Sequence, residues 1–326
     1  MQSHRVLAIG EALIDLIATE ETESVAQART FSRQAGGAPA NVAVAVAKLG
    51  GQSEYLGALG SDPFGDFLMD TLTAYGVHTE HVMRVVQATS LAFVGRSHGE
   101  SQYYFVRSPG ADTQLDVAHV ASVPITAEMI VHVGSNSLAV GPLREAVQSL
   151  LKRAKTVEAL ISFDVNLRKA FWSDDVDPLA ICQTILPLVD VLKVNRDELL
   201  WLMPAEDEHT AIMELASSTP AVIVSTLGSH GVLLYRQGWE QPLEVASRTV
   251  PVVDTTGAGD AFMGALLYGL AKEGISHAGL LAMDGAQWFN LCTFATAAAA
   301  LTVGKIGAMS ALPNLQEVNQ LLLIVR

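Results

Sequence analysis

Short apolar runs alternate with helix-periodic stretches along most of this chain, and that alternation limits what it can fold into. Strand-like runs fall at Arg5–Ile9, Met129–Val133, Leu160–Asp164, Val191–Val194 and Ala221–Thr226. Helical patterns fall at Ala40–Leu49, Pro63–Tyr75, Leu143–Lys155, Arg196–Leu202 and Asp260–Lys272. A strand buried on both faces reads as a continuous apolar run, and parallel strands are joined by crossover helices. The pattern predicts an α/β fold with a mostly parallel central sheet and helices on both faces. No linker, charged tail or repeat divides the chain, so residues 1–326 are read as a single domain. Ligands of such folds collect at the carboxyl ends of the strands.

Two segments interrupt the alternation, Leu13–Gln34 and Ser90–Arg107. The second reads as a hairpin, Leu91–Arg96 and Gln102–Arg107 around a turn at His98-Gly99-Glu100. Together, segments 13–34 and 90–107 are expected to form a small β lid that keeps water from the strand ends.

Bulk properties exclude several classes. The formal charge of −14 argues against nucleic acid, which needs a basic surface. An anionic cofactor remains compatible, held by backbone N–H groups, a few cations and a metal. Cys182 and Cys292 have neither metal-like spacing nor a pairing logic, which suggests a reducing compartment. The apolar run at the start is too short for a signal peptide, and Leu291–Val303 is too short to cross a membrane. The expectation is a cytoplasmic protein with no membrane partner.

Function is most legible in Val250–Val253, read as a short buried strand, and the turn after it, Asp254-Thr-Thr-Gly-Ala-Gly-Asp260. A helix starting there leaves N–H groups unpaired and carries partial positive charge, and the small residues Gly257, Ala258 and Gly259 let an anion approach. Asp260 then stands where a phosphate should go. A carboxylate there makes sense as the base that takes a proton from a hydroxyl attacking phosphorus. The plain alternative is that Thr255 or Thr256 and Asp260 merely cap the helix. A second motif, Gly36-Gly37-Ala38-Pro39-Ala40-Asn41, permits close backbone approach at the paired glycines and offers in Asn41 both donor and acceptor for a polyol. It could equally be a tightly packed loop-to-helix junction.

These motifs, with Gly60-Ser-Asp-Pro-Phe-Gly65 between them, resemble those of the PfkB (ribokinase-like) carbohydrate kinases, in the same order, over about Gly10 to Pro313. Gly10-Glu-Ala-Leu-Ile-Asp15, Arg107-Ser-Pro-Gly-Ala-Asp112 and Phe163-Asp-Val-Asn-Leu-Arg168 are similar to the fructokinase subgroup. The resemblance implies a three-layer ribokinase-like fold and ATP-dependent phosphorylation of a sugar, D-fructose first, with 2-keto-3-deoxygluconate as the alternative acceptor. It implies sugar contacts from Asp15, Gly36, Gly37, Asn41, Asn166 and Arg168, and from Arg107 on a flexible arm of the lid. Arg168 would also lie near the transferred phosphoryl group. ATP and Mg²⁺ are implied as cofactors, with Asn195 on a phosphate and Glu198 on a metal-bound water. The same Asn195-x-x-Glu198 spacing is also a helix capping box. Thr226, Gly228 and Gly231 match a nucleotide loop, and Asn290 is placed at the adenine edge. A K⁺ site is implied at Asp254 and Thr256 and the loop of Thr302, Lys305 and Gly307, although Ala311 replaces a hydroxyl ligand of some relatives. Many relatives dimerise through the small sheet, so a homodimer through the lid is expected.

Other classes fit less well. Ile9-Gly-Glu-Ala lacks the spaced glycines of a dinucleotide fingerprint, and Gly304-Lys305 is followed by Ile306 rather than the Ser or Thr of a P-loop. A catalytically dead sugar sensor would not need Asp260. His132 and His230 are read as structural. The Tyr103-Tyr104 pair is read as lid packing, with one ring free to border the sugar.

Overall fold

The computed structural model describes residues 3–97, 100–107 and 109–324. The hairpin turn at His98-Gly99, and Ser108, lie outside them. The strands in chain order are β1 (Arg5–Ile9), β2 (Leu13–Ala18), β3 (Phe31–Gly36), β4 (Gln52–Leu56), β5 (Ala58–Gly60), β6 (Met83–Val85) and β7 (Leu91–Ser97). They continue with β8 (Glu100–Val106), β9 (Met129–Gly134), β10 (Leu160–Asp164), β11 (Val191–Asn195), β12 (Val222–Thr226), β13 (Val232–Tyr235) and β14 (Leu243–Val245).

The main sheet has eight strands in the order β14-β13-β12-β11-β10-β9-β1-β4. From β4 to β12 every pairing is parallel, and only β13 and β14 run antiparallel at one edge. Alternation along each strand divides the core. Leu7, Val131, Ile161, Leu192 and Ile223 face a cluster shared with helices 141–156 and 196–202. Val6, Ile130, Leu160, Val191 and Val222 face one shared with helices 38–48, 258–272 and 285–303. This is the three-layer α/β arrangement expected, because strands covered on both faces must be apolar on both.

The interrupting segments pair as anticipated. A four-stranded sheet, β3-β2-β7-β8, has β2 and β7 parallel and antiparallel hairpins on either side. Tyr103 and Phe105 lie on its face towards the main domain, while Tyr104 is 62% exposed on the other.

One expectation fails. Val250–Val253 is not a strand; Val252 is 65% and Val253 49% exposed. The segment makes no ladder, and the N–H groups of Val253 and Asp254 both donate to the Val303 carbonyl. Its apolar side chains Val250 and Val252 line a cavity instead of the core. Cys182 and Cys292 are free and buried, and burial pushes both thiols up to about 12, far from reactive. Among the described residues no helix is long and apolar enough to cross a membrane.

Candidate active site

The turn at 254–260 ends at helix Ala258–Lys272, whose first preceding residue, Gly257, is left-handed at φ +77°. A Cβ there would stand 3.1 Å from the Ala308 Cα, so the position needs glycine twice over. No side chain caps this helix, which removes the alternative that Thr255 or Thr256 is there for that purpose. In that first turn the Ala258 N–H has a 3.3 Å bond to the Thr255 carbonyl and no side-chain partner, so an anion there competes with one long backbone bond and no side chain. Asp254 fixes the turn from behind: Oδ1 accepts from the Thr256 N–H at 2.9 Å and Oδ2 from the Gly307 N–H at 3.0 Å.

Two cavities meet at this turn. The first, about 220 Å³, is lined by Glu11, Asp15, Gly37, Asn41, Asn166, Arg168 and Asp260, with Tyr103 and Phe105 reaching in from the small sheet. The second, about 360 Å³, is lined by Thr226, Gly228 and Gly231 on one side and by Val250, Val252, Ala299 and Val303 on the other. Thr255 and Gly259 border both. The anion hole is thus the wall between an acidic polar cavity and an apolar slot.

Glycines shape the polar cavity. A Cβ on Gly36 would meet Asp15 Oδ2 at 2.0 Å, and one on Gly37 (φ +104°) would meet the Glu11 carbonyl oxygen at 2.5 Å. The Asn41 side-chain amide donates to Asp260 Oδ2 at 2.7 Å, while its Oδ1 is buried without a partner. An unpartnered buried acceptor at a cavity wall is where a ligand hydroxyl belongs. Burial pushes Asp260 above the usual carboxylate range, against the amide of Asn41 and the charges of Lys193 and Arg168. Burial, with the nearby Asp260 charge, pushes Asp15 up to about 7. Glu11 is also raised, first by burial, and accepts from Ser137 Oγ at 3.1 Å. Glu11 was not among the expected site residues, although it stands in the same motif as Asp15.

Asn166 and Arg168 are carried on a clamped loop after β10. Arg168 N–H donates to Asn136 Oδ1 at 3.0 Å, and Asn136 Nδ2 donates to the Asn166 carbonyl at 3.1 Å. The Leu167 N–H donates to Glu198 Oε1 at 2.8 Å. Asn166 sits at φ +33°, a strained conformation for a side-chain-bearing residue, and this network holds it there. Asn136 carried no sequence signal of its own.

Other expected site residues are placed differently. Arg107 does not line the acceptor cavity. Its Nε donates to Asp112 Oδ2 at 2.7 Å, its side chain is 8% exposed, and its guanidinium lies 4.2 Å over the Phe171 ring. It is a pinned residue rather than a mobile arm, because the buried Asp112 needs a counterion. Asn290 is exposed and stands off the nucleotide cavity. The residues of helix 285–303 that line it begin with Thr296, and six helical residues turn a side chain about 240° around the axis. Asn195 and Glu198 form the capping box, with Glu198 Oε2 accepting from the Asn195 N–H at 2.8 Å; neither lines the polar cavity or the apolar slot. The Thr302 hydroxyl is buried and donates to Ala298, and the Lys305 ammonium pairs with Glu317, so neither side chain is turned to a cation. His132 is structural, as read: Nδ1 meets Ser162 Oγ at 3.1 Å, and burial, with Lys193, lowers it to about 3.

A polar cavity with a buried carboxylate, a glycine-shaped helix N-terminus and an apolar slot behind it suit a phosphotransferase for a small hydroxyl compound. Residues 3–315 match the pfkB family carbohydrate kinase profile. The chain is 37% identical over 324 residues to fructokinase-1 of rice (Oryza sativa subsp. japonica), with 98% of each chain covered. Among solved structures it is similar to a fructokinase from Xylella fastidiosa with bound ATP, at 36% identity, TM-score 0.89 and 98% coverage of both chains. It is also similar to a double mutant of Vibrio cholerae O395 fructokinase bound to fructose, ADP and a potassium ion, at 33% identity, TM-score 0.86 and 99% coverage of both. The chain belongs to the PfkB family of carbohydrate kinases and has their ribokinase-like fold.

Proposed function

We propose that this chain is an ATP-dependent fructokinase. The observation that carries the reading is the shared wall: Thr255 and Gly259 border both cavities, with Asp260 on the acceptor side. ATP would place its base in the apolar slot and its γ-phosphoryl group on the N–H groups of Gly257, Ala258 and Gly259. Asp260, oriented by Asn41, takes the proton of the attacking hydroxyl. That oxygen bonds to phosphorus as the bond to ADP breaks. Arg168 and the anion hole stabilise the charge on the transferred group.

A neutral sugar suits the acceptor cavity better than a sugar acid. Three carboxylates, Glu11, Asp15 and Asp260, line it against Arg168 as the one cation in the lining. Carboxylates bind sugar hydroxyls and repel a keto acid. The rice, Xylella and Vibrio relatives named as fructokinases support fructose as the acceptor. A coupled ADP-release assay with fructose, ribose, adenosine and 2-keto-3-deoxygluconate tests this. Fructose should have the highest kcat/KM, and preference for the keto acid would overturn the reading.

Mg²⁺ would travel with the nucleotide and neutralise its phosphates. Each Glu198 oxygen accepts one backbone N–H and keeps a lone pair, which fits contact through water rather than direct ligation. K⁺ would be held by Asp254 and backbone carbonyls of the Thr256 and Lys305–Gly307 segments, which Asp254 already ties together. The Vibrio relative with a bound potassium ion supports a potassium requirement. The small sheet acts as the lid over the acceptor. Its outer face, where Phe31, Phe93 and Tyr104 line a groove, is the face for a homodimer. Two free buried cysteines fit a cytoplasmic setting.

A further inference from the structure

A buried charge pair lies beneath the turn and takes no direct part in the transfer. Lys193 on β11 is the register partner of Asp164 on β10, on the sheet face covered by helix 258–272. Its Nζ lies 2.9 Å from both Asp164 oxygens, with the two side chains 5% and 3% exposed. The same Nζ would stand 3.2 Å from a Cβ on Gly259, so the ammonium touches the anion-hole turn from below. Neither residue lines the polar cavity or the apolar slot.

Such a pair is weak evidence for stability, because desolvating two charges offsets their attraction. The flanking residues Val191 and Val224 show that this face accepts apolar side chains. A lysine in the middle of a buried strand therefore asks for a reason, and the groups around it supply one. Asp164 faces it from β10, Asp260 from helix 258–272 and Glu198 from helix 196–202, while His132 on β9 is held neutral partly by its charge. Burial works to lower the Lys193 ammonium's pKa, but the surrounding carboxylates, Asp164 first, outweigh it and hold the group protonated.

We propose that Lys193 is a positioning residue for phosphoryl transfer: seated on Asp164, it presses positive charge against the underside of the turn 257–260. There it favours the ionised form of Asp260 and adds to the potential that holds the phosphoryl group. Asp164 fixes the ammonium and keeps it from moving out towards the phosphates. The inference rests on the kinase reading, and wild-type turnover of fructose is measured alongside so that the two can fail separately.

The test is Lys193→Met combined with Asp164→Leu, which fills the same space without leaving a lone charge. The double variant should melt at or above the wild-type temperature. Its kcat should fall about 10- to 100-fold with fructose KM within about twofold. Lys193 stands nearer the turn than Asp164, so losing its charge should outweigh losing the Asp164 charge, and the acid limb of the kcat–pH profile should move to higher pH, a change a purely structural pair would not cause. A folded double variant with kcat within about twofold of wild type and an unmoved acid limb overturns the proposal. Should the variant not fold, the wild-type protein decides. Lys193 is the buried lysine among the described residues, so its ¹⁵Nζ resonance can be followed. It should shift on adding ADP, Mg²⁺, fructose and aluminium fluoride beyond the shift with ADP and Mg²⁺ alone. An equal response to both mixtures overturns the proposal as well.

Discussion

Replacing Asp15 by Asn should make the empty enzyme more stable and the working enzyme worse. Burial, then the charge of Asp260, raises the Asp15 carboxyl from 3.8 to about 7. Each tenfold change in proton affinity corresponds to about 1.4 kcal/mol, so holding Asp15 ionised above pH 7 costs at most about 4 kcal/mol. Water in the open cavity screens the carboxylate, and about 2 kcal/mol is the expected gain at pH 8. The sign follows from linkage. A carboxyl raised on folding stabilises the folded state fully below its unfolded pKa, and loses that contribution as pH rises through about 7. The advantage of Asp15→Asn should therefore be present at about pH 8, shrink through about pH 7–5 and vanish near about pH 4. Urea unfolding at fixed m-value reads it directly. The same variant should lose about 1–3 kcal/mol in fructose kcat/KM, because an amide cannot accept at both positions, with the KM for ATP little changed. An Asp15→Asn enzyme no more stable than wild type at about pH 8, or equally more stable at every pH, would refute the argument.

Three further outcomes are expected. Asp260→Asn keeps the hydrogen-bonding shape but removes the base, so kcat should fall about 10²- to 10⁴-fold while calorimetry finds ATP binding intact; retention of more than half the activity would remove Asp260 from that role. Gly257→Ala forces a side chain into a left-handed turn against Ala308; thermal melting should fall by the equivalent of about 1–2 kcal/mol and the KM for ATP should rise. Arg107→Ala leaves Asp112 buried without its counterion and should cost about 3 kcal/mol of stability by denaturant titration. A variant of normal stability with a raised fructose KM would instead return Arg107 to the sugar.

What the sequence showed and what it hid have physical causes. The parallel sheet was legible because strands buried on both faces are apolar runs; Arg5–Ile9 and Leu160–Asp164 match to the residue. The turn before helix 258–272 was legible because a Gly-Ala-Gly break before a helix has few uses. Val250–Val253 misled because an apolar run lining a ligand slot has the composition of a strand. Asn290 rested on the resemblance alone, which carries no helix phase; the phase of helix 285–303 puts Thr296 and Ala299 on the slot and leaves Asn290 exposed. Arg107 misled because nothing in the sequence shows that Asp112 would be fully buried and claim it. Glu11, Asn136 and Lys193 became visible only when strand ends distant in sequence were brought together.

That convergence also explains how the site tolerates its own electrostatics. Three carboxylates share the acceptor cavity, and burial raises each of them. A fold would ordinarily avoid such a cluster, since every member opposes ionisation of the others. Here each is held by a group from another element: Glu11 by Ser137 after β9, Asp260 by Asn41 from helix 38–48, and Asp15 against the bare backbone of Gly36. The glycines and polar partners that look like separate motifs therefore serve one arrangement, a wall of acceptors to which the protein itself gives few donors, Ser137 to Glu11 and Asn41 to Asp260. A sugar would supply the rest. On the proposed function, its hydroxyls would favour the ionised carboxylates that burial disfavours, and Asp260 would become the base when the substrate is present. The motif spacing reads as a family signature because each glycine and amide is needed to keep an acidic cavity open until a polyol fills it.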